Sequence, residues 1–474
     1  MLFSSSTFLF IFLPVMLVGY YVPLRGMRQA QNIFLLLASL FFYAWGEPRF
    51  LPVMLVSILM NYGFGRWVHR RRFQCRYLTG PVAAAVGCNL ALLFVFKYLT
   101  FTLESINALG LGWQIPVIEL PIGISFFTFQ ALSYVLDVAM DKAEVQRSVL
   151  DLGLYISFFP QLIAGPIVKY SDVAQQIRDR KENWADFSTG CSRFLTGLGK
   201  KVLLANQMAV VADRVFALDP TALSTPMAWL GSLCYTFQIY YDFSGYSDMA
   251  IGLGQMFGFR FRENFDHPYA SRTVTEFWRR WHISLSTWFR DYVYIPLGGN
   301  RVPRNVHVRN LFLVWVLTGL WHGANWTFLL WGLFYFLLLY LEKFHKLARG
   351  WFSPFRRLYT LLAVNFLWML FRSDTLAYAG SFFLTMLGFQ GTGTVDALCG
   401  LYLRENALLL VLALVFSFPL APWLSKKLET FRPFGLDLSP LWDLLYAAGL
   451  AAVGVLCACY LVKGTYNPFI YFRF

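Results

Sequence analysis

Residues 311–341 read LFLVWVLTGLWHGANWTFLLWGLFYFLLLYL and contain no Asp, Glu, Lys or Arg. As one helix this run would extend about 46 Å at 1.5 Å per residue. That length exceeds the hydrocarbon core of a bilayer, which is roughly 30 Å thick. The GAN sequence at residues 323–325 is the expected break. The stretch therefore predicts two membrane helices with His322 at their junction.

His322 is the ionisable side chain of this run, and two interpretations of it are open. An ionisable residue inside a membrane is by default a functional-site hypothesis; the alternative is a structural histidine whose hydrogen bonds are satisfied. In apolar surroundings the imidazole is expected to be neutral and able to accept a proton, as a general base must. Trp321 and Asn325 are predicted to line the same site.

The composition of the whole chain agrees with this membrane setting. Of its 474 residues 57% are hydrophobic and 14% are charged, whereas soluble domains carry roughly 25% charged residues. Further apolar blocks occur at residues 8–22, 33–45, 50–62, 81–96, 361–370, 407–424 and 441–462. We expect an all-α polytopic membrane protein.

The centre of the chain, from about residue 100 to 305, is organised differently. Its apolar pieces are short and interrupted by Gly and Pro, as at residues 120–138, 154–170 and 233–259. Broken backbone at membrane depth is tolerated only where protein or a water-filled cavity satisfies its polar groups. We therefore expect a cavity-lined centre, with re-entrant or interfacial helices, held by regular outer helices.

Residues 275–290, TEFWRRWHISLSTWFR, show a helical period that predicts one amphipathic helix. One arc of this helix would point into the protein and carry Trp278, Trp281, His282, Leu285, Trp288 and Phe289. Arg279, Arg280 and Arg290 would face headgroups or an aqueous funnel. The open alternative is an interfacial helix with an incidental histidine.

The net charge of +14 is interpreted mainly as a topology signal. Basic residues follow the first and third apolar blocks, most densely in GRWVHRRRFQCR at residues 65–76, so these turns are predicted to be cytoplasmic. The first block is not expected to be a cleavable signal peptide, because no basic residue precedes it, the first in the sequence being Arg25, and no small-residue cleavage site follows it. We expect both termini outside and about twelve spans. Nucleic acid is not an expected partner, since the basic residues lie in short turns.

Several chemical motifs are missing from the sequence. There is no G-x-S-x-G, no HExxH and no phosphate-binding Gly loop. The seven cysteines show no metal spacing, so no metal site is expected. Asp242 and Asp248 are either structural helix-end residues, which we favour, or carboxylates that line a site or pore.

The segments PIGISFFTFQALSYVLDV, FFPQLIAGPI, YYDFSGYSDMAIGLG, ENF, EFWRRWHISLSTWFRDYVYIPLGGNR, LTGLWHGANWTFLLWG and LWMLFRSDTL together resemble the membrane-bound O-acyltransferase family. The resemblance covers roughly residues 1–390. It is strongest to the branch that O-acetylates bacterial cell-surface polysaccharides such as alginate.

This resemblance implies a ring of helices around a thinned centre that is entered from the cytoplasm. It implies two functional histidines, His282 and His322, of which the second is the catalytic one. The expected acyl donor is acetyl-CoA, as a substrate rather than a bound cofactor, and the three arginines would suit its anionic part. The implied setting is the bacterial inner membrane, with membrane lipid, a periplasmic SGNH-type O-acetyltransferase and a polysaccharide synthesis complex as partners.

The predicted division of the chain is an acyltransferase core at residues 1–424 and an extra helix with an outward aromatic tail at residues 425–474. The tail, NPFIYFRF at residues 467–474, resembles that of the helper peptide in teichoic acid D-alanylation. The resemblance implies that Tyr471 carries the acyl group. A phenol, with a pKa of about 10, loses its proton far more readily than an alkyl alcohol. The alternative is an interfacial aromatic anchor.

Two other function classes remain open from the residues alone. One is a proton-coupled transporter or export component, in which the histidines and the two carboxylates would relay protons. Transporters usually have two related halves, and no internal repeat occurs in this sequence. The other is a non-catalytic scaffold, which would tolerate loss of His322.

Overall fold

The computed structural model describes residues 1–110, 112–420, 423–424, 427, 439–464 and 466–470. Within these residues the secondary structure is helical, and no β-strand occurs. In the described part of the chain, five helices are long and apolar enough to cross a membrane: Pro48–Phe73, Thr79–Asn107, Trp326–Phe344, Ala397–Phe416 and Pro440–Val462. The all-α membrane architecture is confirmed, while the number of twelve spans stays a prediction.

The helices follow one another along the whole described chain. In order they are α1 (Leu13–Tyr21), α2 (Arg28–Gly46), α3 (Leu51–Phe73), α4 (Thr79–Leu93), α5 (Leu99–Asn107), α6 (Ile124–Ala139), α7 (Val149–Ser157), α8 (Phe159–Leu162), α9 (Tyr170–Arg178), α10 (Trp184–Gly199), α11 (Asn206–Phe216), α12 (Thr225–Met256), α13 (Val274–Arg280), α14 (Ile283–Phe289), α15 (Arg304–His322), α16 (Trp326–Phe344), α17 (Ser353–Arg372), α18 (Leu376–Met386), α19 (Ala397–Phe416) and α20 (Ser439–Val462). A π-helical segment, Lys200–Ala205, joins α10 to α11.

The chain forms two compact units. The first comprises Met1–Phe194, Met249–Glu263 and Thr287–Gly299, and the second comprises Leu195–Asp248, Asn264–Ser286 and Asn300–Phe474. The predicted boundary at residue 424 is a different division. Because few residues near that position are described, it stays a prediction.

In the first unit, polar side chains join apolar helices at a few buried points. Asn61 of α3 and Asn89 of α4 exchange two amide hydrogen bonds of 3.1 and 2.8 Å, and both side chains are fully buried. Arg180 is also buried and donates to Asn32 Oδ1 at 2.7 Å. In an apolar setting such bonds fix which helix faces meet.

In the second unit, α15 and α16 form the hairpin predicted for residues 311–341. The helices end and begin at His322 and Trp326, so the break at residues 323–325 is confirmed. Glycines permit the close approach of the two backbones. A Cβ atom on Gly319 would lie 2.5 Å from the Phe328 carbonyl oxygen, and one on Gly332 would lie 2.5 Å from the Trp315 carbonyl oxygen. The close contact of α15 and α16 at Gly319 and Gly332 thus sets the position of His322 at the end of α15.

Helix α12 corrects one expectation about the central region. Residues 233–259 were predicted to be broken, but all of Thr225–Met256 is one helix of 32 residues. Its glycines serve packing instead of ending the helix, since a Cβ on Gly245 would lie 2.8 Å from the Gly197 carbonyl oxygen. Glycine is common at such close helix contacts in membranes. The shorter helices α6 to α9 agree with the prediction.

Candidate active site

His322 lies at the last position of α15, against a wall of aromatic rings. Gly323 follows in an extended conformation (φ −169°, ψ 156°), which ends the helix. The imidazole is 6% exposed. Its ring centroid lies 5.0 Å from that of Trp321, 5.0 Å from that of Trp331 and 5.2 Å from that of Phe371, all edge to face. His322 is therefore buried among apolar rings, as the sequence predicted.

Asn325 caps the helix that follows His322. Its side-chain oxygen accepts a hydrogen bond from the Thr327 N–H at 3.0 Å, and its amide donates to the Asp374 carbonyl oxygen at 2.9 Å. Asparagine is among the best N-cap residues because its oxygen satisfies a free helix N–H. Both ends of this amide are engaged, so the observed contacts of Asn325 position α16.

His282 lies in a break that the sequence did not predict. Residues 275–290 are not one helix: α13 ends at Arg280, Trp281 is extended, and His282 adopts a left-handed conformation with φ of +44°. The break between α13 and α14 is stabilised by hydrogen bonds to the backbone of residues 264–266. Asp266 N–H donates to the Arg280 carbonyl at 2.9 Å, and Ile283 N–H donates to the Asn264 carbonyl at 2.9 Å. These tertiary bonds replace the helical bonds that the break removes.

The burial pattern predicted for the same stretch is nevertheless right. All six residues assigned to the inner arc are buried: Trp278, Trp281, His282, Leu285, Trp288 and Phe289. A left-handed conformation of a residue other than glycine is strained and tends to occur at functional sites. His282 is thus held in a costly geometry by its surroundings.

Asn264 holds His282 and is not among the site residues predicted from the sequence. Its side-chain oxygen lies 3.2 Å from His282 Nδ1 and accepts from the Ser284 N–H at 3.2 Å and the Ser284 hydroxyl at 2.9 Å. Its amide donates to Ser247 Oγ at 2.9 Å. The backbone N–H of Ser284 can only donate, so the atom facing it is the oxygen. The signal in the sequence was the short ENF segment.

This arrangement fixes the tautomer of a neutral His282. Because Asn264 Oδ1 only accepts, Nδ1 carries the proton and donates it, which leaves a lone pair on Nε2. His282 is fully buried, and its Nε2 has no hydrogen-bond partner among the described residues. A buried acceptor without a partner is costly unless a substrate or water fills the role. The imidazole is therefore set to accept a hydrogen bond.

Trp321 brings the two histidines into one site. Its ring centroid lies 6.0 Å from that of His282 and 5.0 Å from that of His322. On its other side His282 meets Phe243 of α12, with ring centroids 4.5 Å apart. The second unit alone thus assembles both predicted histidines and the predicted Trp321.

The three predicted arginines differ in their surroundings. Arg279 is exposed, whereas Arg280 pairs with Glu276 at 3.1 Å and Arg290 pairs with Asp291 at 2.8 Å. Arg279 and Arg280 end α13, whereas Arg290 begins the π-helical segment Arg290–Tyr294, so the single helix face predicted for the three does not exist. Charge that is already paired is less able to bind an anion.

A basic cavity lies in the first unit. Its volume is about 710 Å³, and the basic residues in its lining are Arg66, His69, Arg70 and Arg147. From the sequence, the first three are interpreted only as a topology signal.

Asp242 belongs to a buried ion pair. Its Oδ1 lies 2.7 Å from Lys201 Nζ, and the two side chains are 1% and 3% exposed. Asp242 lies inside α12 (Thr225–Met256), so the predicted helix-end position is wrong, whereas a structural role for this carboxylate is consistent with the ion pair. Tyr471 lies outside the described residues.

The chain is similar to a known protein family over most of its length. The model of the membrane-bound O-acyltransferase family matches residues 40–382. The chain belongs to the membrane-bound O-acyltransferase family. It is therefore a membrane-embedded acyltransferase.

Three relatives show the branch of the family. The chain is 45% identical to the probable alginate O-acetylase of Pseudomonas putida, over 82% of this chain and 81% of that protein. It is 39% identical to the probable alginate O-acetylase of Azotobacter vinelandii over the full length of both. It is 36% identical to the peptidoglycan O-acetyltransferase of Helicobacter pylori, over 82% and 80% of the two chains. The relatives support membrane O-acetylation as the process.

Proposed function

We propose that this acyltransferase takes an acetyl group from cytoplasmic acetyl-CoA and passes it across the membrane for O-acetylation of a cell-surface polysaccharide. The observation that carries the proposal is the joining of His282 and His322 through Trp321 in one buried site. Imidazoles are the commonest general bases. The names of the relatives, which act on alginate or peptidoglycan, support a polysaccharide acceptor.

In the proposed reaction His322 is the general base and Tyr471 is the acyl carrier. The Tyr471 hydroxyl oxygen attacks the thioester carbonyl carbon while His322 takes the phenolic proton. The new C–O bond forms as the C–S bond breaks, and the proton on His322 passes to the thiolate, giving CoA thiol and acetyl-tyrosine. Apolar rings exclude water around His322, so the thioester is protected from hydrolysis.

His282 acts beside this base as an oriented hydrogen-bond acceptor. Its Nδ1–H is committed to Asn264, so its Nε2 presents a lone pair in a fixed direction. A group held in the reactive geometry before substrate arrives lowers the entropic barrier of the step. We assign His282 a positioning role toward the phenol or the thioester.

The placement of the residues before Tyr471 supports the carrier assignment. Phe469 and Ile470 are 5% and 4% exposed, buried within the second unit. An interfacial anchor would instead hold these side chains among lipid headgroups. On the outer side, we propose that an SGNH-type O-acetyltransferase of a polysaccharide synthesis complex takes the acetyl group from Tyr471. This assignment requires both termini to face outward, in the bacterial inner membrane.

Tyr471→Phe tests the carrier in cells. The substitution keeps the aromatic ring and removes the hydroxyl, so polymer acetylation should be abolished while the amount of protein in the membrane is unchanged. Ester-bound acetate released from the polymer by mild alkali measures the effect. Tyr466→Phe is the matched control in the same tail and should retain acetylation. Normal polymer acetylation in Tyr471→Phe would contradict the proposal.

A further inference from the structure

The C-terminal segment is bound by a buried pair of opposite charges. Lys201, in the π-helical Lys200–Ala205, and Asp242, in α12, lie 2.7 Å apart with almost no exposed surface. An isolated ion pair in an apolar interior is unfavourable unless its remaining hydrogen-bonding capacity is satisfied. Here the tail backbone supplies the missing partners.

Lys201 and Asp242 each form one hydrogen bond with the tail backbone, and the two bonds are two residues apart. Lys201 Nζ donates to the Pro468 carbonyl oxygen, and the Ile470 N–H donates to Asp242 Oδ2 at 2.9 Å. In a β-ladder, a neighbouring strand likewise offers its donor and acceptor to every second residue. The ion pair thus binds the tail backbone at residues 468 and 470, through one carbonyl acceptor and one N–H donor.

Side-chain contacts also hold Asn467 and Phe469 of the tail. Phe469 packs on Tyr246 with ring centroids 5.2 Å apart, and Lys201 Nζ lies 5.8 Å from the Phe469 centroid. Asn206 donates its amide to Asn467 Oδ1 at 3.1 Å. Exposure falls from 52% at Tyr466 to 4% at Ile470, so the chain enters the protein over these residues.

We propose that Lys201 and Asp242 form a docking site for the tail backbone that places the residue after Ile470 for acetyl transfer. This inference rests on the proposed function for the role of Tyr471, but the docking itself does not depend on it. Lys201 and Asp242 are positioning residues, since they act through the backbone of the tail. The alternative is an ion pair that stabilises α12 without any special relation to the tail.

Hydrogen exchange of the purified full-length protein tests the docking. Mass spectrometry of the C-terminal peptide reports the Ile470 amide, which should exchange slowly in the wild type. Lys201→Met removes the donor to Pro468 and leaves Asp242 without its cation, so exchange of this peptide should accelerate at least about tenfold, one power of ten for each 1.4 kcal/mol of lost protection. Acetyl transfer should fall on the order of 100-fold, the effect of a misplaced reacting group. Unchanged exchange in Lys201→Met would overturn the proposal.

Lys169→Met is the matched control. Lys169 is a second buried lysine, and it pairs in the first unit with Asp291, whose side chain is 17% exposed. This variant tests whether the removal of any buried lysine accelerates hydrogen exchange of the tail peptide. The exchange of the tail peptide should remain slow, and an acceleration equal to that of Lys201→Met would overturn the docking site.

Reversal of the pair separates docking from simple charge pairing. Lys201→Asp combined with Asp242→Lys can re-form an ion pair, but it would present an oxygen to the Pro468 carbonyl and an ammonium to the Ile470 N–H. Fast tail exchange in the folded double variant is expected, and restored slow exchange would overturn the proposal. If the double variant does not fold, Asp242→Asn replaces it: the amide oxygen can still accept from Ile470, so its exchange rate should lie between those of the wild type and Lys201→Met. Exchange in Asp242→Asn as slow as in the wild type would overturn the need for the ion pair.

Tyr471→Phe distinguishes the two proposals. The docking account predicts slow exchange of the tail in this variant, because the contacts of residues 468 and 470 are untouched. Slow exchange together with normal polymer acetylation would remove the carrier role and retain the docking site. Fast exchange in Tyr471→Phe would overturn docking through the backbone.

Discussion

The two histidines of the site are held in opposite ways. His322 ends a regular helix and is surrounded by Trp321, Trp331 and Phe371, so packing defines its position. His282 occupies a strained left-handed position, and the hydrogen bond that its Nδ1–H donates to Asn264 Oδ1 defines its orientation. In the proposed mechanism this difference corresponds to a division of labour, in which His322 takes the reacting proton among apolar rings and His282 offers one oriented lone pair.

The largest expected difference is between the two alanine variants. His322→Ala removes the base and should lower kcat for acetyl transfer by about 10²- to 10⁴-fold, the usual contribution of general base catalysis. His282→Ala should lower kcat by about 10- to 100-fold, because it removes positioning and not the proton acceptor. Release of CoA thiol from acetyl-CoA, with each variant in membranes that also contain the acceptor system, measures both. If kcat fell further in His282→Ala than in His322→Ala, His282 and not His322 would be the general base.

Asn264 gives the second test of the comparison. Asn264→Ala removes the acceptor that fixes the His282 tautomer, so kcat should fall about tenfold, and buried donors left unpaired should cost about 1–3 kcal/mol of stability. Asn264→Asp keeps an oxygen facing His282 and should restore most of the rate.

Asn325→Ala is the corresponding variant near His322, and it is expected to affect stability and not the reaction. It removes a helix cap and should cost about 1 kcal/mol of stability, measured by thermal unfolding in detergent. If Asn264→Ala lowered only stability, as Asn325→Ala is expected to, then Asn264 would be a structural residue.

The smallest expected effect concerns the arginines next to His282. Arg279 is exposed, so we propose that it contacts the anionic part of the donor, and Arg279→Ala should raise KM for acetyl-CoA about three- to fivefold. Arg280→Ala should change KM less than about twofold, since Arg280 already pairs with Glu276. Steady-state kinetics at several salt concentrations measure both. A tenfold rise in KM for Arg280→Ala would place the donor against that residue instead.

The sequence predicted the parts of the fold that depend on long apolar runs. The α15–α16 hairpin and the break beside His322 follow from an uncharged stretch too long for one span. Inward and outward positions in residues 275–290 also follow from periodicity, because the break at Trp281 and His282 preserves which side chains are buried.

The parts that could not be predicted depend on contacts between distant segments. Nothing local in WRRWHIS indicates a left-handed residue, since its cause is Asn264, 18 positions away. Likewise the glycines of α12 resemble helix breaks in the sequence, but they pack against residues such as Gly197 in another helix. Binding of the tail by Lys201 and Asp242 needs two helices and the C-terminal segment together.

The most direct test of the account is to find the acetyl group on the enzyme. Purified wild-type protein is mixed with isotope-labelled acetyl-CoA, quenched within one turnover and digested, and the C-terminal peptide is analysed by mass spectrometry. The account predicts one labelled acetyl ester on Tyr471 in the wild type and none in His322→Ala under the same conditions. A labelled ester on another residue, or equal labelling of Tyr471 in His322→Ala, would contradict it.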